Sequence, residues 1–231
     1  MNRRALFAAL GLIGLSLIGS VLSPLRAEDT KPALVLTYLE LSPDAAVQSR
    51  DLLKTYAAAA QKAAGVVQFE AFQRIGQRNH FAIVESWADA AAREAFVASP
   101  AAKEFRGKLD PLRIGPYDER QHAVLNVGPK VETPVTAIVG ITHVDLIPTA
   151  KDEGRAMLKT LGDQSRGTSG NIRYDIWVQS SRANHMTIVE SWKSMAALEH
   201  FTTEAAMKTF REKLMPMSGS LYDQRLYRLV R

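Results

Sequence analysis

The sequence predicts an α+β protein: two ferredoxin-like βαββαβ repeats that close on each other as an intrachain dimeric α+β barrel. Three observations carry this. The stretch NHFAIVESW at residues 79–87 returns as NHMTIVESW at 184–192, 105 residues later. At that offset residues 33–126 align with 138–231 without a gap, and about 30 of 94 positions are identical. Within each copy the apolar pattern alternates between a period of two and a period near 3.6, in the order strand, helix, strand, strand, helix, strand. Two long copies are too few for a solenoid. A βαββαβ sheet carries its helices on one face, so the other apolar face needs a cover, which the second copy supplies.

The elements follow in order. LVLTYLEL (34–41) reads as the first strand, ended by Ser42-Pro43, and IVGITHVDL is its counterpart, ended at Pro148. The helix after it has Val47, Leu53, Tyr56, Ala57 and Ala60 as its stripe and stops near Gly65. VVQFEAF (66–72) and FAIVESW (81–87) flank a turn from Gly76 to Asn79, a hairpin signal. A helical stretch with Phe96, Phe105 and Leu109 on one side follows, kinked at Pro100, and the last strand begins near Tyr117. The expected organisation is an export signal at 1–27, a first repeat at 28–126, a linker at 127–135 rich in Pro, Gly and charge, and a second repeat at 136–231.

The leader reading rests on Arg3 and Arg4 before an uncharged run from Ala5 to Leu22, then Ser23 to Ala27. Cleavage after Ala27 would release a periplasmic or extracellular protein with no stable membrane insertion. The arginine pair also allows twin-arginine export, and an uncleaved anchor is the competing reading. Setting the leader's three arginines aside lowers the formal charge from +5 to +2, so the full chain overstates how basic the working protein is. No basic stripe interleaved with aromatics is present, which argues against nucleic acid as a partner. The chain has no cysteine, which excludes disulfides, thiolate chemistry and Cys-ligated metals. Neither a His/Asp cluster at metal spacing nor a Gly-rich nucleotide loop occurs.

The run through Glu-Ser-Trp, a short helix, a Ser-Pro or Glu-Ala break and a Lys-x-Phe-Arg-x-Lys-Leu helix resembles the antibiotic biosynthesis monooxygenase superfamily with its quinol monooxygenases, and does so in both copies. The resemblance implies a dimeric α+β barrel and a cofactor-free oxidation of an electron-rich aromatic, quinol-like or polyketide-like, by O2. It implies no metal and no flavin. The haem-degrading branch matches at Trp87 and Trp192, but Arg106 and Arg211 stand nearest its axial histidine and Thr37 and Thr142 at its first-strand asparagine. Ring-hydroxylating members pair a Trp with a helix Arg, as Trp192 with Arg211 and Trp87 with Arg106 would.

Strand geometry places the candidates. Seven steps at about 3.3 Å put His80 roughly 23 Å from Trp87, at the other end of one strand. With the third strand taken as parallel to the first and antiparallel to the second, the Trp end is expected to gather Trp87, Glu85, Phe69 and Tyr117, and in copy two Trp192, Glu190, Tyr174 and Tyr222. Arg106 and Arg211 sit on the adjoining helices. The copies differ at Tyr38 against His143 and at Phe72 against Trp177, which favours copy two as the working half. The expected catalytic set is His143, Trp192, Arg211 and Glu190, with Trp87 and Arg106 their relatives in copy one. Tyr38, Glu85, Tyr117, Tyr174, Trp177 and Tyr222 are expected to line the pocket. His143 would take a phenolic proton and Arg211 would steady the anion. The structural alternatives are a Trp that anchors the core, a Glu paired with a nearby cation, and Asn-His steps that serve the hairpin turn, where Asn tolerates left-handed backbone. The expected partners are a small aromatic and O2, with homodimerisation open; a non-catalytic binding or stress-related protein with the same cavity is the second function class.

Overall fold

The computed structural model describes residues 31–231, so the expected leader at 1–27 lies outside the described residues. Strands β1 (Ala33–Glu40), β2 (Val66–Arg74), β3 (His80–Trp87) and β4 (Asp118–Asn126) form the first repeat. Strands β5 (Ile138–Asp145), β6 (Asn171–Gln179), β7 (His185–Trp192) and β8 (Asp223–Leu229) form the second. They close into one barrel in the order β1-β3-β2-β8-β5-β7-β6-β4. The seams between repeats are hydrogen-bonded ladders, β2 on β8 with Phe72 opposite Leu229 and β4 on β6 with His122 opposite Gln179. The two sheets are therefore continuous, with no open edge at either seam.

Every neighbouring pair is antiparallel, β1 and β3 included, with Ala33 opposite Trp87 and Glu40 opposite His80. This corrects the expected parallel β1–β3 pairing. A helix returns the chain after β1, so β2 runs with β1. The hairpin then reverses β3, which slots between them antiparallel to both. As a result the start of β4 lies at the far end of β1 from Trp87, with Asp118 opposite Tyr38.

The period-two alternation sends successive side chains to opposite faces. Outside, Phe69, Ala71, Ile83 and Trp87 meet the helices of repeat 1, and Tyr174, Ile176, Ile188 and Trp192 meet those of repeat 2. Inside, Leu34, Leu36, Phe72 and Val84 meet Val139, Ile141, Trp177, Val189 and Tyr227. The interior is not wholly apolar. Near one end Arg173 donates to Glu70 at 3.1 Å and Asp175 at 2.5 Å, all three buried. The two acids occupy matching positions of the two repeats, so Arg173 ties the halves together at the pseudo-two-fold axis.

Helix α1 (Ala46–Ala60) buries Ser49, Leu53, Tyr56 and Ala60. Val47, expected in that stripe, is 56% exposed; two residues before Ser49 it points to roughly the opposite side of the helix. The helical region expected to be broken near Pro100 is two helices, α2 (Ala90–Val97) and α3 (Pro100–Leu109). Proline stands in the first turn of α3, where its missing N–H has no partner to lose, and Ser99 caps that turn by accepting from the Ala102 N–H at 3.2 Å. Repeat 2 supplies α4 (Lys151–Arg166), α5 (Met195–Thr203) and α6 (Ala205–Leu214). Gly65 and Gly170 take φ +76 and +83, and a Cβ there would meet Ala92 at 2.5 Å or Ala197 at 2.6 Å. Glycine is needed at these positions both for the left-handed turn and for the approach of α2 or α5. No described helix is long and apolar enough to cross a membrane.

Candidate active site

The repeated nine-residue motif is a set of structural ties. Asn79 and Asn184 donate to the Leu41 and Leu146 carbonyls at 2.9 and 2.7 Å, clasping the hairpin to the end of β1 or β5. Neither has a positive φ; only glycines do among the described residues, so the expected left-handed role is replaced by this side-chain clasp. His80 and His185 lie at the rim, 3.6 Å from Glu40 and 2.9 Å from Asp145. At the other end of β3 and β7 the Trp87 and Trp192 indoles donate to Glu85 and Glu190 at 2.9 and 2.8 Å. The Glu-x-Trp spacing puts both side chains on the helix-facing side of the strand, which is why the pair forms.

From this shared frame the two repeats diverge. In repeat 1 the Arg93 guanidinium of α2 donates to Glu85 at 3.0 Å and to Glu119 at 2.7 Å, closing a charge chain. Tyr56 stacks on Phe105 at 3.8 Å and Phe96 on Trp87 at 5.2 Å. Arg106 lies 3.5 Å over the Tyr117 ring. Tyr117 joins this core from the start of β4.

In repeat 2 the position of Arg93 is held by Leu198 and that of Glu119 by Gln224. Glu190, 1% exposed, accepts from Trp192 and from the Gln224 amide at 2.7 Å and has no ion-pair partner among the described residues. Burial pushes its pKa up, and the hydrogen bonds from Trp192 and Gln224 and the charge of Arg211 only partly oppose that. Gly140 lets the carboxylate lie against β5, since a Cβ there would sit 2.7 Å from Glu190 Oε1; repeat 1 has Val35 at that point. Thr142, Tyr174 and Tyr222 bring buried hydroxyl oxygens, with Tyr222 beside Thr142 and Tyr174 beside Ser165. Arg211 stands 5.8 Å from the Tyr222 ring centroid. Leu161 stands where repeat 1 has Tyr56, and a cavity of about 390 Å³ lies between α4 and α6 over Leu161 and Phe210, both part of the core that contains Tyr174 and Trp192; repeat 1 has its counterpart, about 320 Å³, between α1 and α3 over Tyr56 and Phe105. A buried carboxyl with no cation bonded to it among the described residues, with buried hydroxyls and a guanidinium nearby, has the chemistry to bind a phenolic ring and move its proton.

The expected site residues thus fall into three places. Glu190, Trp192, Tyr174, Tyr222 and Arg211 gather in repeat 2, and Glu85, Trp87, Tyr117 and Arg106 in repeat 1. Tyr38, His143 and Trp177 face the barrel interior; His143 bonds to Tyr38 at 2.8 Å and Trp177 packs 5.6 Å from the His122 ring. His143 therefore does not share a pocket with Trp192. Its neighbour Thr142 points outward to the helices, so His143 must point inward. Gln224 and Gly140 were not anticipated. Their signal was present in the aligned copies as the changes Arg93 to Leu198, Glu119 to Gln224 and Val35 to Gly140.

A single chain that closes two βαββαβ sheets into one antiparallel barrel, with a Trp–carboxyl pocket under the helices of each half, is a dimeric α+β barrel protein in fused form. The chain belongs to the antibiotic biosynthesis monooxygenase family, whose model matches residues 32–108 and 137–213, once in each repeat. No curated protein matches the sequence significantly. Among solved structures, a candidate monooxygenase from Fusobacterium nucleatum is similar with a TM-score of 0.80 at 15% identity, covering 87% of this chain and 94% of that one. A candidate monooxygenase from Lactobacillus acidophilus follows with 0.75 at 10% identity over 87% and 95%. An anthrone oxidase-like protein has 0.67 at 14% over 88% and 93%. At these identities the likeness is one of fold.

Proposed function

We propose that the protein is a cofactor-independent monooxygenase that oxidises a quinol-like or polyketide-like aromatic with O2, and that repeat 2 is the working half. The observation that carries this is Glu190: a buried carboxyl whose counterpart Glu85 is neutralised by Arg93, but which itself is hydrogen-bonded, among the described residues, by Trp192 and Gln224 alone. An electron-rich ring would enter between α4 and α6 and lie over Phe210, its hydroxyl reaching the Glu190 carboxylate and the Tyr174 and Tyr222 oxygens. Glu190 takes the phenolic proton and Arg211 steadies the resulting anion. The anion passes one electron to O2, and the substrate radical and superoxide join through a new C–O bond to give a hydroperoxide. Loss of the C–H proton and cleavage of the O–O bond then leave a carbonyl and release water. Overall, a CH2 group and O2 become C=O and H2O, with all four electrons drawn from the substrate. The dry core around Trp192 protects the radical pair from solvent.

Oxygen uptake by the purified protein with a panel of naphthols, anthrones and hydroquinones tests the reading. Glu190→Gln is expected to lower turnover by about 10²-fold or more, the scale of a lost general base, while Glu85→Gln leaves it within a factor of a few. Equal losses in the two variants, or no uptake with any substrate, would refute it. Saturable ring binding without uptake would instead support the binding-protein reading. We further propose export, with the working chain starting near Glu28; mass spectrometry of the extracytoplasmic fraction decides, and an intact terminus in the membrane fraction overturns it.

A further inference from the structure

The other end of the barrel holds a cluster that the proposed oxidation does not use. Tyr38 and His143 occupy the same position in the two repeats and meet across the pseudo-two-fold axis, Tyr38 Oη to His143 Nε2 at 2.8 Å. The bonding direction there follows from one fixed point. His122 Nδ1 lies 2.9 Å from the Arg120 carbonyl, which can only accept, so Nδ1 carries the proton and Nε2 is an acceptor. Thr187 must then donate to His122 Nε2 at 3.0 Å and accept from His143 Nδ1 at 3.2 Å. That leaves His143 Nε2 to accept, from the Tyr38 hydroxyl and from Arg120 Nη1 at 3.3 Å. The inward-facing polar groups along this chain are mutually satisfied.

What remains unsatisfied faces the mouth. Arg120 and Arg225 are each held by their own acid, Asp118 at 2.6 Å and Asp223 at 2.7 Å. Arg225 donates to Asp223 through Nε and Nη2, so Nη1 is the guanidinium nitrogen not engaged with that acid. Arg74, at the end of β2, makes no hydrogen bond and no ion pair among the described residues. Arg74, Arg225, Tyr38 and Tyr227 line one cavity of about 320 Å³, and Glu40, His80 and Asp118 line it with them. Two guanidinium groups over aromatic walls suit a planar anion, since a guanidinium presents parallel donors to both oxygens of a carboxylate. Glu40 and Asp118 in the lining repel a doubly charged phosphate more than a singly charged carboxylate, and the volume is that of a single-ring molecule.

We propose that this barrel mouth is a second binding site, for a small organic carboxylate of single-ring size held by Arg74 and Arg225 against Tyr38 and Tyr227. It lies on the opposite face of the sheet from Glu190, and both repeats build it. The test is a titration of the purified full chain, with histidine ring resonances observed by NMR, using benzoate as probe and benzamide and inorganic phosphate as controls. Benzoate is expected to shift the His143 and His80 resonances saturably and to leave the exposed His200 unmoved. Arg74→Ala should weaken it by about 10-fold to 100-fold, the range for a lost charge-assisted hydrogen bond, and Arg74→Lys by less. Arg211→Gln, which alters the other pocket, should leave benzoate affinity unchanged. Absence of saturable shifts, parent-like affinity in folded Arg74→Ala and Arg74→Gln variants, or equal binding of benzamide or phosphate would overturn the proposal.

Discussion

At the scale of single residues, environment separates groups of the same type. Glu85 and Glu190 share a strand position and an indole donor, yet one sits beside a guanidinium and the other beside an amide. His122 and His143 show the same logic through burial, which pushes each pKa down from 6.5 to about 4, with Arg120 adding to the push at both and Arg225 at His143. Both rings are then neutral in the folded protein at pH 7. Between about pH 6.5 and 4 the unfolded chain binds protons that the native state refuses, so this contribution is complete above 6.5 and is lost as the pH falls to 4. Glu85 and Glu190, with raised pKa values, bind protons more readily when folded and act in the opposite sense above pH 4.5. The histidine effect is therefore read as a difference: His122→Gln should lose about 2 kcal/mol less stability than the parent between pH 7 and 4.5 in denaturant titrations. Identical pH profiles would show that His122 is not the responsible group. The Trp, Glu and Arg of the repeat-2 pocket were legible from the motif and its helix. The role first assigned to His143 was not supported, because adjacent strand residues face opposite sides and Thr142 already faces the helices.

At the scale of elements, the order of strands and helices followed from periodicity and from Pro and Gly punctuation, and the repeat restated part of that punctuation, Pro43 at Pro148 and Gly65 at Gly170. What periodicity leaves open is the partner of each strand. The ladders β2 to β8 and β4 to β6 join positions about 155 and 55 residues apart, and side-chain alternation looks the same whether a sheet is stacked on its partner or continuous with it. The helix starts are governed by local chemistry: Asp89 accepts from the Ala92 N–H at 2.7 Å and Ser194 from the Ala197 N–H at 3.2 Å. Removing the shorter of these caps, by Asp89→Ala, is expected to lower stability by about 1 kcal/mol, read as a shift in denaturation midpoint at constant slope. α2 also carries Arg93, so a larger loss accompanied by a change at Glu85 would mean that the cap positions the ion pair as well as the helix.

At the scale of the whole molecule, each repeat lends strands that the other must pair. Residues 28–130 alone would leave β2 and β4 with unpaired edges and Glu70 without its arginine, so that fragment is expected to aggregate or to form a homodimer in sedimentation. A monomer with a cooperative melt would contradict this. In the intact chain Arg173→Ala should cost about 3 to 5 kcal/mol, because it leaves Glu70 and Asp175 buried and facing each other without a cation; a near-neutral effect on thermal unfolding would show that water reaches the pair. The meeting of Tyr38 with His143 has a consequence of a different kind. In a true homodimer any component of the electric dipole perpendicular to the two-fold axis must vanish, and a hydrogen bond across that axis has no preferred direction. Fusing the halves removes this restriction. The chain running from Tyr38 through His143 and Thr187 to His122 has a defined head and tail, so the barrel carries a polarity across its own axis that two identical subunits could never sustain.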